Sequence, residues 1–72
     1  MMIALRSTDD VRKFVEELAP LDGEYDLISG KYVVDAKSVL GIYSLNLSKP
    51  LEIIIRGGNA EALEVIKRYS VE

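Results

Sequence analysis

Four short constellations in this chain carry the residue types that chemistry uses. Ser7-Thr8-Asp9-Asp10 offers hydroxyls and carboxylates at a predicted helix start, where free backbone N–H groups attract anions. Two carboxylates repel an incoming phosphate, so capping by Ser7 or Thr8 is the better account of them. Asp22, Glu24 and Asp26 alternate as in a calcium loop, but the sixth position is Leu27 rather than glycine and the twelfth is Val33 rather than glutamate. They read as a turn followed by a solvated strand edge. Gly57-Gly58-Asn59-Ala60 lacks the lysine and the spacing of a phosphate-binding loop, and reads as a strand-to-helix turn. Ser38 follows Lys37 and opens an apolar segment. By residue type alone it is the cap of a short helix, worth roughly 1 kcal/mol against alanine.

The missing residue types narrow the function further. The 72 residues contain no histidine and no cysteine. Without an imidazole there is no phosphohistidine, no histidine base and no zinc ligand of the usual kind. Without a thiol there is no disulfide framework, redox motif or thiolate metal site. No nucleophile–base pair and no suggestive pair of carboxylates is visible. The expectation is a protein that is not an enzyme and has no metal and no cofactor. Nine lysines and arginines stand against twelve carboxylates, for a net charge of −3. The cations are spread from Arg6 to Arg68, which argues against a nucleic-acid surface. The apolar run Met1 to Leu5 is too short for a signal-peptide core and nothing approaches a membrane span, so a cytoplasmic location without membrane insertion is expected.

The elements that must position these residues follow from periodicity and turn chemistry. Hydrophobic residues make up 49% of the chain, enough for one small core, and residues 1–72 read as a single domain of roughly 11 Å radius of gyration. Met2-Ile3-Ala4-Leu5 reads as a first strand. Val11, Phe14, Val15 and Leu18 form a helical stripe that Pro20 stops. Glu24 to Ile28 and Tyr32 to Ala36 read as strands around Ser29-Gly30, with Tyr25 and Leu27 sharing one face of the first and Tyr32, Val34 and Ala36 one face of the second. A helix of about two turns follows Ser38, limited by Gly41 and Pro50. Leu51 to Ile55 is a β-branched strand. Asn59 caps a last helix striped by Ala62, Val65, Ile66 and Tyr69, with Glu64 and Arg68 as an i, i+4 pair. The order β-α-β-β-α-β-α predicts an α+β open-faced β-sandwich, a four-stranded antiparallel sheet with three helices on one face. A ferredoxin-like unit shares the first six elements.

From Gly30 onward the sequence resembles HPr, the phosphocarrier of the bacterial sugar phosphotransferase system. Gly30-Lys31 matches the family's hairpin. Asp35-Ala36-Lys37-Ser38-Val39-Leu40-Gly41-Ile42-Tyr43-Ser44-Leu45 matches its Lys-Ser, apolar-apolar-Gly-apolar and Ser/Thr-Leu pattern. The resemblance covers about two-thirds of the chain at the level of motifs and all of it in element order. It departs at the first helix. There the family has a Gly-Ile/Leu-His-Ala/Thr-Arg-Pro motif whose histidine takes the phosphoryl group from phosphoenolpyruvate through enzyme I. Here the stretch is Leu5-Arg6-Ser7-Thr8-Asp9-Asp10, shortened and without His, Gly or Pro, and Arg6 has no firm counterpart in the motif.

The resemblance implies a second site. Ser38 matches the serine that HPr kinase/phosphorylase modifies from ATP in Gram-positive relatives, whose phosphorylated form docks on a catabolite-control transcription factor. At a helix start the added charge of about −1.5 to −2 is best tolerated. Six apolar residues from Val39 to Leu47 cannot all face inward on one short helix. Some of the matching family positions form an exposed docking patch, and Lys37, Val39, Leu40 and Tyr43 are the expected partner-binding residues. The implied partners are phosphotransferase-system enzymes, HPr kinase or a transcription regulator. The function expected is a regulatory or docking module that cannot carry phosphohistidine, with a possible phosphoserine switch at Ser38. The alternative is a ferredoxin-like small-ligand or subunit-binding domain. Strand order separates the two, 1-4-2-3 for the HPr-like sheet and 4-1-3-2 for the ferredoxin-like one. A carrier using Ser or Asp in place of His is a third reading, disfavoured because phosphoserine is a stable ester.

Overall fold

A helix can begin only where some group satisfies its first free N–H donors, and three side chains do so here. Ser7 accepts from the Asp10 amide at 3.0 Å, Ser38 from the Gly41 amide at 3.1 Å and Asn59 from the Ala62 amide at 2.9 Å. The computed structural model describes residues 1–71. It contains β1 (Met2–Ile3), α1 (Thr8–Leu18), β2 (Glu24–Ser29), β3 (Tyr32–Asp35), α2 (Val39–Tyr43), β4 (Leu51–Arg56) and α3 (Ala60–Lys67), the order read from the sequence. α1 ends just before Pro20, whose ring cannot continue the ladder.

All strand pairings are antiparallel, and the sheet order is β1-β4-β2-β3. This is not the ferredoxin-like order, so the ferredoxin-like alternative is set aside. β2 lies between β4 and β3, which corrects the expected strand edge at Glu24 and Asp26. Those carboxylates alternate because they lie on the face of an interior strand opposite to the buried Tyr25 and Leu27. Leu27 stands opposite both Ile53 and Val34, and Ile3 opposite Leu51, so one sheet face is apolar across the strands. The buried faces of α1, α2 and α3 close on it through Val11, Phe14, Leu18, Ile42, Val65 and Ile66 in a single cluster. The radius of gyration is 10.8 Å.

Long-range contacts supply what periodicity did not. β1 has two residues rather than the four expected, and its outer edge is covered by residues 69–71. The Ala4 amide donates to the Tyr69 carbonyl at 2.9 Å and the Val71 amide to the Met2 carbonyl at 3.0 Å. Covering an edge in this way protects it from pairing with other chains. Tyr69 lies beyond the end of α3 and meets Phe14 edge-to-face, with ring centroids 5.2 Å apart. Arg68 pairs with Glu17 on α1 rather than with Glu64. Tyr32 is on the expected strand face but is 64% exposed, because it sits at the hairpin end of β3, past the Leu27–Val34 pair.

The start of α1 also fixes a pH dependence. A hydrogen bond and charge attraction from Arg12, with Lys13 adding to them, hold the Asp9 carboxyl below its ordinary range. A carboxyl depressed in the folded state stabilises it above the unfolded pKa, and that contribution is lost as pH falls through the folded value. The stability difference between wild type and Asp9→Asn is therefore expected at neutral pH and should shrink on acidification below the ordinary aspartate pKa. Urea denaturation across pH checks this; a difference that stays constant into acid would rule the pairing out.

Candidate functional site

The turn out of β3 is fixed before α2 begins. The Asp35 carboxylate accepts from the Lys37 amide at 2.8 Å, and its carbonyl accepts from the Ser38 amide at 3.0 Å. α2 then runs for five residues, shorter than the two turns expected. Gly41 weakens it as a helix but allows its close approach to β3. A Cβ there would stand 3.2 Å from Val34 Cβ and 3.1 Å from Ser38 Oγ. Within α2 only Ile42 is buried in the core. Leu45 is buried just past the helix and Leu47 packs partly against the core.

The remaining apolar side chains of α2 face solvent. Val39 is 37% exposed, Leu40 84% and Tyr43 43%. Tyr43 follows Val39 at i+4 and Leu40 at i+3, so the three are neighbours on the helix surface. Scattered exposed leucines are ordinary, whereas these three form a contiguous apolar group. The half-buried Ser38 lies at the foot of this group, its Oγ occupied as the acceptor of the cap.

Lys37, expected among the partner-facing residues, has an internal role. Its ammonium donates to the carbonyls of Leu21 at 2.6 Å and Gly23 at 3.2 Å, and lies 5.5 Å from the centroid of the Tyr25 ring. It ties the entry of α2 to the loop after α1, a positioning contact that sequence adjacency to Ser38 did not reveal.

The other constellations are structural. At the start of α1, the Asp10 carboxylate accepts from the Arg6 amide at 3.0 Å, and Asp9 is bound by Arg12 at 2.9 Å. Asp26 pairs with Arg56, and among the described residues no three acidic side chains gather to hold a metal ion. Gly57 and Gly58 adopt positive φ, and Asn59 caps α3, as a strand-to-helix turn requires. No helix among the described residues is long and apolar enough to cross a membrane. Sequence reasoning missed Tyr32 and Val33, which are 64% and 59% exposed; the position of β3 at the sheet edge, beside a hairpin turn, was the available signal. Compared with models of known protein families and with curated proteins, the chain matches none.

Proposed function

We propose that this protein is an HPr-like docking module that binds protein partners through the exposed face of α2 and does not carry phosphohistidine. The observation that carries the reading is the split within α2: Ile42 is buried while Val39, Leu40 and Tyr43 face solvent directly after Ser38. A helix serving only the core would turn its largest apolar residues inward, since burying a leucine is worth about 1.5–3 kcal/mol. The sheet order β1-β4-β2-β3 is the one that the HPr resemblance implies, so the layout is compatible with this reading. The absence of histidine removes the phosphoryl acceptor while the Lys37-Ser38 segment is kept.

Ser38 is the proposed regulatory point, modified by HPr kinase. The γ-phosphoryl group of ATP passes to Oγ, the hydroxyl proton is released and ADP leaves. The group gained is an anion at the positive end of α2, adjoining the docking face, where it alters what that face recognises. Intact mass after incubation with ATP and HPr kinase tests this. One added phosphoryl group is expected on the wild type and none on Ser38→Ala. Modification of Leu40→Glu should be at least about tenfold slower if α2 contacts the kinase. Incubation with phosphoenolpyruvate and enzyme I should add no mass. An unmodified wild type with HPr kinase, or phosphoryl transfer from enzyme I, would contradict the proposal.

A further inference from the structure

Next to the exposed face of α2 lies a cavity of about 440 Å³, between the β2–β3 hairpin turn and the segment after α2. Lys31, Tyr32, Ser44, Asn46 and Lys49 contribute to its walls, and no Asp or Glu does. Lys31 and Lys49 have no ion-pair or hydrogen-bond partner among the described residues. The chain as a whole is anionic, yet residues 27–51 contain three lysines and a single acid, Asp35. Asp35 stands opposite Asp26, on the sheet face away from Leu27 and Val34, and is engaged with the Lys37 amide. Asn46 Oδ1 accepts from the Ser48 amide at 3.1 Å and from its hydroxyl at 2.6 Å, leaving the amide N–H groups as donors.

The apolar face of α2 leads into this cavity. Leu40, Tyr43 and Ser44 stand at i, i+3 and i+4, on one side of the helical turn. Ser44 and the exposed Tyr32 both form part of the cavity wall. Through Ser44, the apolar anchors Leu40 and Tyr43 therefore adjoin a cavity whose two lysines have no partner among the described residues.

We propose that this surface, from Leu40 and Tyr43 to Lys31 and Lys49, seats an acidic segment of a protein partner that also carries aliphatic side chains. The inference rests on the docking role of α2 and extends it toward the hairpin, naming the chemistry of the occupant. Charge complementarity selects that occupant. A small anion would use the lysines and leave Leu40, Tyr43 and Tyr32 in water. A wholly apolar partner would cover two cations without pairing them, which is unfavourable. Anionic membranes are held by clusters of roughly four to eight lysines and arginines. Two lysines on a chain of net charge −3 are a poor match for such a surface. An acidic segment with interspersed aliphatic residues satisfies both halves.

The test is a backbone-amide NMR titration of the full chain with a soluble synthetic peptide of glutamates with interspersed leucines. Parallel titrations use the same peptide with lysine in place of glutamate, inorganic phosphate, and phosphatidylserine-containing vesicles. Saturable shifts are expected at Lys31, Tyr32, Ser44, Asn46 and Lys49 with the acidic peptide alone, and should weaken as salt is raised. Affinity is expected to fall about tenfold in Lys31→Glu/Lys49→Glu. Both substitutions are at exposed positions, so an unchanged melting curve will show that the fold survives. Absence of saturable shifts, an equal response to the lysine peptide, the same shifts with phosphate alone, or binding to the vesicles would each overturn the proposal. Modification by HPr kinase together with indifference to the acidic peptide would overturn this inference and leave the docking reading standing. Peptide binding by a chain that HPr kinase leaves unmodified would do the reverse.

Discussion

Ile42→Ala is expected to destabilise the domain by about 2–5 kcal/mol, whereas Leu40→Ala, two residues away, should change stability by no more than about 0.5 kcal/mol. Ile42 is fully buried in the cluster formed by the sheet and the other helices, and Leu40 is 84% exposed. A core this small rarely supplies more than about 3–5 kcal/mol, so Ile42→Ala should leave a largely unfolded or marginal protein. Urea denaturation followed by circular dichroism measures both variants. Comparable losses would mean that Leu40 is a core residue and that α2 has no free face for a partner. The predicted contrast requires neighbouring residues of one five-residue helix to answer to different demands, the fold for Ile42 and recognition for Leu40.

Gly58→Ala is expected to lower stability by about 2–4 kcal/mol, through overpacking and backbone strain together. Gly58 has φ +118°, a conformation that suits glycine, and a Cβ there would overlap the Tyr25 hydroxyl. Tyr25 has little room to yield. Its ring is buried, its hydroxyl donates to the Asp22 carbonyl at 2.5 Å, and a Cβ on Gly23 would lie 2.6 Å from the same hydroxyl oxygen. Gly30→Ala is the control. Gly30 also has positive φ, +60°, but nothing would lie within 4 Å of a Cβ there, so only a conformational cost of about 1 kcal/mol is expected. If the two variants unfold at the same urea concentration, the close fit of Tyr25 against Gly58 is absent. Because Lys37 reaches the loop at Leu21 and Gly23 beside Tyr25, loosening this corner would also loosen the entry to α2.

The parts of this fold legible in the sequence are those set by neighbours a few residues apart. Ser7, Ser38 and Asn59 announce three helices because capping joins a side chain to an amide three residues on. The stripe Val11, Phe14, Val15 and Leu18 announces the buried face of α1. Exposure of Val39, Leu40 and Tyr43 was legible for a similar reason, since one short helix cannot bury every apolar residue in that segment. What stayed hidden depends on partners far along the chain. Glu17 takes Arg68 away from Glu64, the Tyr69–Val71 segment covers β1, and Lys37 serves carbonyls in the loop after α1. Lys31 and Lys49 share a cavity only because the hairpin and the segment after α2 fold side by side. Gly41 reads as a defect in a helix until the closeness of Val34 gives it a purpose.

The face of α2 can be tested most directly by backbone-amide NMR of the labelled chain titrated with unlabelled HPr kinase. The expected result is broadening and shifts concentrated at Ser38, Val39, Leu40 and Tyr43, lost in Leu40→Glu while the rest of its spectrum stays folded. Shifts confined to the open face of the sheet around Glu24, Asp26 and Glu52, or no shifts at all, would contradict a docking role for α2.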